Sequence, residues 1–151
     1  MIITFIGHSS VVCFDKLREE LRAQIRVNAD GQERLVCYLG GYGNFDSLSA
    51  EVCRELKKEY PHIEVVYVTP YLNHDRLDGI QKSGIYDLSI YPPLENVPLR
   101  FTISKRNEWM VSEADLVIAY VNHTHGGAYK SLLAAKRKKK RIINLGDLGQ
   151  V

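Results

Sequence analysis

Apolar positions along the chain follow two rhythms. Short, nearly continuous runs at residues 2–7, 34–41, 63–71, 115–121 and 141–146 have the length and β-branched content of buried strands. A weaker run at 86–93 closes on Pro92 and Pro93. Between the runs, apolar residues recur every three or four positions. Leu17, Leu21 and Ile25 share one helical face behind a cap expected at Asp15, and the turn residues 28–31 stop that helix. Further helices are predicted at 47–60, stopped by Pro61, and at 73–83, 103–114 and 127–140. Strands alternating with helices of this length predict a parallel sheet covered on both faces. The expected fold is α/β: a Rossmann-like, doubly wound, mainly parallel sheet in a single domain over residues 1–151.

In such a sheet, ligands bind outside the carboxyl ends of the strands. The loops after each strand are therefore the places to look for chemistry. The first holds Gly7, His8 and Ser9. The second holds Gly40, Gly41, Tyr42, Gly43 and Asn44 and closes at Asp46. Tyr71 follows the third strand, and Gly126, Gly127 and Ala128 open the last long helix. Two of these loops carry a double glycine just before a helix. Glycine lets backbone approach an anion, and a helix start presents unpaired N–H groups with a partial positive charge. Together the loops point to a phosphorylated or nucleotide-like ligand. Neither has GxGxxG spacing, and no GxxxxGK[ST] run occurs, which disfavours a dinucleotide dehydrogenase or a P-loop NTPase.

Composition narrows the class further. At 45% hydrophobic and 25% charged, the chain has the balance of an ordinary globular domain. A net charge of +2 is too small to imply a polyanionic partner by itself. No run reaches the roughly 18 apolar residues of a membrane span. "MIITFIGH" lacks the basic n-region of a signal peptide, so the cytoplasm is the expected location and no membrane partner is expected. Cys13, Cys37 and Cys53 form no CxxC pair, which predicts neither a disulfide framework nor a thiolate zinc site. His123 and His125 share a face of an extended segment, but nothing specifies a third, oriented ligand. No metal and no cofactor is expected.

Two basic features remain. Arg106 lies near the start of its helix. It either directs a guanidinium at a ligand phosphate or belongs to a solvated "KRNE" face. Asn107 beside it carries the groups to bond a base or ribose. "KRKKKR", residues 136–141, is expected as a solvated helix end, where cations complement the helix dipole. Its alternative is a nucleic-acid contact, and the absence of interleaved aromatics weighs against that.

The stretch "RNEWMVSEADLVIAYV…GGAYKSLLAA" resembles the central signature of the LOG/DprA (SLOG) superfamily of Rossmann-like proteins, closest to its small stand-alone bacterial members. Arg106, Met110, Ala114, Asp115, Gly126 and Gly127 match the LOG-branch positions, which run into a PGGxGTxxE motif. "TFIGHSS" and "GGYGNFD" are also similar to the superfamily. The resemblance implies a nucleotide-binding domain and a homodimer. In the LOG branch it implies a phosphoribohydrolase that cleaves the N-glycosidic bond of a nucleoside monophosphate. The DprA branch handles single-stranded DNA.

The chain departs from that motif where the chemistry lies. His125 replaces the proline, Tyr129 and Lys130 replace Gly-Thr, and Leu133 replaces the catalytic glutamate. Leucine neither stabilises an oxocarbenium-like state nor activates water. The first expectation is therefore binding of a nucleotide-like ligand through the loop residues above with Arg106 and Asn107, Tyr42, Tyr71 or Trp109 stacking on a base. The alternative is a nucleoside-phosphate N-glycosidase or related transferase in which Asp46 or Glu108 supplies the carboxylate. Asp46 has a second reading, as a helix cap just before "SLSAE". The third class is a single-stranded-DNA-associated protein using the basic run.

Overall fold

The computed structural model describes residues 1–146; the last part of the expected domain, 147–151, lies outside the described residues. Strands β1 (Ile2–Gly7), β2 (Leu35–Leu39), β3 (Ile63–Val68), β4 (Leu88–Ile90), β5 (Leu116–Tyr120) and β6 (Arg141–Asn144) form one sheet in the order β4-β3-β2-β1-β5-β6. Every adjacent pair is parallel. Helices α1 (Phe14–Ala29), α2 (Asn44–Leu56), α3 (His74–Lys82), α4 (Thr102–Glu113) and α5 (Gly126–Arg137) connect them.

The strands alternate between two helix layers with a period of two. Ile3, Phe5, Cys37, Leu39, Leu116 and Ile118 pack with Leu17, Leu21 and Ile25 of α1 and Leu48, Val52 and Leu56 of α2. The intervening residues turn the other way. Ile6, Val117, Ala119 and Val121 pack with Val111 of α4 and Leu132 and Ala135 of α5, and Val36, Tyr38, Val66 and Val68 pack with Met110. Burial on both faces explains why the strand runs are continuously apolar.

The strand order reverses between β1 and β5. From β1 the chain winds outward through β2, β3 and β4, then crosses back to β5 on the other side of β1. The loops after β1 and β5 therefore flank the switch point, where a crevice opens in sheets of this kind.

Several boundaries differ from expectation. Asp15 does not cap α1; it lies in the first turn, and Cys13 stands at the cap in a left-handed conformation (φ 53°). α2 starts at Asn44 behind Gly43, three residues before the predicted start, so Asp46 lies inside the helix rather than capping it. A 3₁₀ turn, Leu99–Phe101, leads straight into α4. The basic run is not simply a helix end. Lys136 and Arg137 finish α5, Lys139 turns through φ 56°, Lys140 donates to the Ser112 carbonyl, and Arg141 begins β6. α5 runs antiparallel to the strands and has 12 residues, so this turn sits about 18 Å from the helix start, at the amino edge of the sheet.

Candidate functional site

Three imidazoles gather at the switch point. His8 follows β1, and His123 and His125 follow β5. Their rings stack in sequence, His8 on His123 at 3.5 Å between centroids and His123 on His125 at 3.9 Å, with planes 11° and 21° apart. Parallel pairing of β1 with β5 up to Gly7 and Tyr120 delivers both loops to the same height. The Asn122 N–H donates to His8 Nε2 at 3.1 Å. A nitrogen that accepts carries no proton, so His8 is neutral with its hydrogen on Nδ1. Burial, then the neighbouring His123 and His125, push the His8 pKa below its ordinary value. Ring nitrogens ligate in the plane of the ring, and the planes of stacked rings do not meet at one point. Among the described residues, no group of three potential ligands is placed to hold a metal ion.

The same loop opens α5. His125 is its N-cap in extended conformation and makes no side-chain capping bond, and Gly126 follows at φ 88°. Gly126 and Gly127 are exposed and Ala128 is half-buried. An added Cβ at Gly127 would meet nothing within 4 Å. The first turn of a 12-residue helix thus presents its N–H groups to open space beside the histidines.

The loop after β2 is built differently. Gly41 and Gly43 take φ 74° and 90°, conformations that glycine adopts without strain. Asp46 reaches back from the first turn of α2 and accepts from the Gly40 N–H at 3.1 Å and from the Gly41 N–H. Both carboxylate oxygens are thereby committed to the loop. The loop is tied to the first one as well, because the Asn44 N–H donates to the Ser9 carbonyl at 2.9 Å and Gly43 packs against the Ser9 backbone.

Arg106 completes this arrangement from the other face of the sheet. It is only 4% exposed, which overturns the solvated "KRNE" alternative. Its Nη1 donates to the Gly40 carbonyl at 2.9 Å and the Val68 carbonyl at 2.8 Å, and Nε donates to Asn107 Oδ1 at 2.9 Å. The guanidinium ties together the carboxyl ends of β2 and β3. Burial draws its pKa downward, and Asp46 opposes this.

Burial also raises the Asp46 carboxyl from an ordinary 3.8 to about 6, against the pull of the two loop amides and Arg106. A carboxyl with a raised folded-state pKa favours folding when protonated. Its contribution is fully present below about 4 and is lost as the pH climbs through about 6. The wild-type minus Asp46→Asn difference in unfolding free energy is therefore expected to fall by roughly 2–3 kcal/mol between pH 4 and pH 7. The depressed His8 pKa acts in the opposite sense, destabilising the fold at low pH, but it is common to both proteins and cancels. Urea denaturation across that pH range would measure the difference; a constant gap would contradict the assignment.

A groove of about 280 Å³ runs between α4 and α5 from Gly127. Arg100, Lys130 and Arg137 line it with Ser104, Asn107 and Ser131, and its one carboxylate, Glu108, is drawn to Lys105 at 3.3 Å. Reading the chain one motif at a time misses this groove. The 127, 130, 134, 137 spacing puts its α5 members on one helical face and is the one signal in the sequence.

The structure thus brings His8 to His123 and His125, Ser9 to Gly43 and Asn44, and Gly40 and Gly41 to Asp46 and Arg106. Tyr42 stands 78% exposed and Tyr71 36% exposed on neighbouring loops. Trp109 goes elsewhere: it stacks on Tyr38 at 5.5 Å against the sheet face. Glu108 lies on α4 with its charge turned to Lys105.

No family model matches the chain. A UPF0398 protein of Bacillus thuringiensis (strain Al Hakam) is 26% identical over 147 residues, 91% of this chain and 76% of that one, as is one from Bacillus cereus (strain Q1). DNA processing protein A from Helicobacter pylori superposes with a TM-score of 0.64 at 14% identity over 95% of this chain. The Streptococcus pneumoniae protein of that name gives 0.65 at 14% over 94%. The chain shares the α/β fold of these DNA processing proteins. The chain spans 64% and 49% of those two DNA processing proteins. The molybdenum cofactor carrier protein of Chlamydomonas reinhardtii shares the fold at a TM-score of 0.60 and 15% identity, over 96% of this chain and 76% of that one. Among the described residues, no helix is long and apolar enough to cross a membrane.

Proposed function

We propose that this protein binds a nucleotide-like ligand at the carboxyl edge of its sheet, across the switch between β1 and β5. The observation that carries this reading is the uncapped start of α5 at Gly126 and Gly127, set at that switch beside three histidines. A phosphate would accept from the Gly126, Gly127 and Ala128 amides. Exposed Tyr42 or Tyr71 would stack on the base, with Asn44 and Ser9 close by. Arg106 acts in this reading by holding the Gly40 loop in shape, with Asn107 between it and the groove. A molybdenum cofactor carrier on the same fold is in keeping with a ligand-holding role.

Hydrolysis has less support. Leu133 stands at the position of the family's glutamate, and Asp46 spends both oxygens on loop amides. Binding without turnover is the reading favoured here. A homodimer belongs to it, and Leu99, Phe101 and Ile103, 79%, 46% and 49% exposed, are the apolar surface such a dimer would cover.

One observation favours a second reading. The α4–α5 groove carries Arg100, Lys130 and Arg137, which suits the phosphates of a single strand, and one structural neighbour is described by its single-stranded DNA binding mode. Thermal melts separate the two. A nucleoside monophosphate at 100 times its Kd should stabilise the protein by about 2.7 kcal/mol, a rise of about 5–10 °C. No rise with any nucleotide at millimolar concentration would remove the first reading. Affinity for a single-stranded oligonucleotide that falls steeply with salt would favour the second.

A further inference from the structure

The histidine stack has an electrostatic property that the nucleotide reading alone does not require. His8 is nine-tenths buried and its acceptor nitrogen is committed to the Asn122 N–H. Its Nδ1–H has no protein partner among the described residues. His123 Nδ1 is buried with no hydrogen-bond partner at all. His123 Nδ1 is therefore a buried polar atom left unsatisfied, which is costly unless something else binds it.

The surroundings of the stack disfavour a proton on His8. Among the described residues, none of its members has an ion-pair partner. From α2, the Asp46 carboxylate is bound to loop amides. From β5, the Tyr120 ring lies T-shaped to His8 with centroids 6.3 Å apart, and its hydroxyl accepts from the Val12 N–H. From α5, the titratable groups of the first turn are Tyr129 and the cation Lys130. The helix start adds its own partial positive charge. Imidazoles 3.5 and 3.9 Å apart repel one another once protonated. Everything that disfavours a proton here is positive or apolar, and a bound anion would reverse that balance.

We propose that the His8, His123 and His125 stack makes this site a proton-coupled anion receptor, in which a dianionic group of the phosphate or sulfate kind binds at the start of α5 together with one proton. The proton comes from solvent and adds to a ring nitrogen of His123 or His125, since His8 Nε2 is already accepting. The resulting imidazolium donates to the anion, and no covalent bond breaks. Linkage makes the effect reciprocal: the anion raises the imidazole pKa, and protonation tightens the anion. The proposal rests on the nucleotide reading for the place of the anion and adds its pH control.

Sulfate is the probe because it stays dianionic between pH 5.5 and 8, whereas phosphate itself titrates there. Calorimetric titrations with sodium sulfate at constant ionic strength, in two buffers of different ionisation heat, count the protons taken up. The expected result is about one proton per sulfate and an affinity that rises up to about tenfold for each pH unit lowered between 8 and 5.5. His125→Gln, an exposed position that leaves the core untouched, and His123→Gln should each flatten that slope while retaining weaker binding. Absence of sulfate binding, binding with no proton uptake, or an unchanged slope in both variants would overturn the proposal. Stabilisation by nucleoside monophosphates at pH 7.5 without proton-linked sulfate binding would keep the nucleotide reading and remove this one. Proton-linked sulfate binding with no response to any nucleotide would do the reverse.

Discussion

Arg106→Ala is expected to lower the unfolding free energy by about 3–5 kcal/mol, the range for removing one partner from a buried charged network. The melting temperature should fall by about 6–20 °C. The reason is local. Arg106 is 4% exposed and its Nη1 serves two carbonyls, Gly40 and Val68, that belong to different strand ends. Truncation removes the Arg106 donor from both acceptors and opens a cavity beside Gly40, where an added Cβ would lie 3.1 Å from the guanidinium carbon. It also leaves the Asp46 carboxylate without the nearby positive charge that helps keep it ionised. Arg106→Lys should recover only part of the loss, because one ammonium cannot reproduce the planar fork. Chemical denaturation of the three proteins measures this. A cost below about 1 kcal/mol for alanine would mean that Arg106 is not what joins the strand ends.

Gly7→Ala carries the second large effect, about 2–3 kcal/mol of destabilisation from overpacking. A Cβ at Gly7 would collide with the Cβ, Cγ and Cδ2 of Phe45. Phe45 is fully buried and stacks on Tyr120 at 5.8 Å, so it has no room to withdraw. Close approach of β1 to the first turn of α2 lets the Asn44 N–H reach the Ser9 carbonyl. The substitution should therefore loosen the joint between the first two loops as well as destabilise the core. A double-mutant cycle with Phe45→Ala isolates the clash. The Gly7→Ala cost should shrink by at least about 1 kcal/mol in the Phe45→Ala background. Equal costs in both backgrounds would show that the steric account is wrong.

Local pattern was enough for the elements of this protein. Continuous apolar runs marked strands covered on both faces, and the spacing of Leu17, Leu21 and Ile25 marked the buried face of α1. Boundaries were less legible where glycine preceded a helix. α2 begins at Asn44 because Gly43 turns the chain at φ 90°, and no side chain announces that start. The site was legible as residue types and less so as roles. Asp46 suggested either a carboxylate for chemistry or a cap, and it became the staple of its own glycine loop. Arg106 suggested a ligand clamp or a solvated face, and it lies buried under two strand ends.

Alternation, periodicity and turn residues are short-range properties, so the chain alone specified an α/β fold of parallel strands and the loops at their carboxyl ends. Which loops meet depends on strand order, and strand order depends on how residues more than a hundred positions apart pair. Only the pairing of β1 with β5 stacks His8 on His123 and opens the switch between them. Only the direction of α5 carries the 136–141 basic run to the opposite edge from its glycine start. The residues were visible in sequence; their distances came from the sheet, because a parallel sheet joins segments that the chain itself keeps far apart.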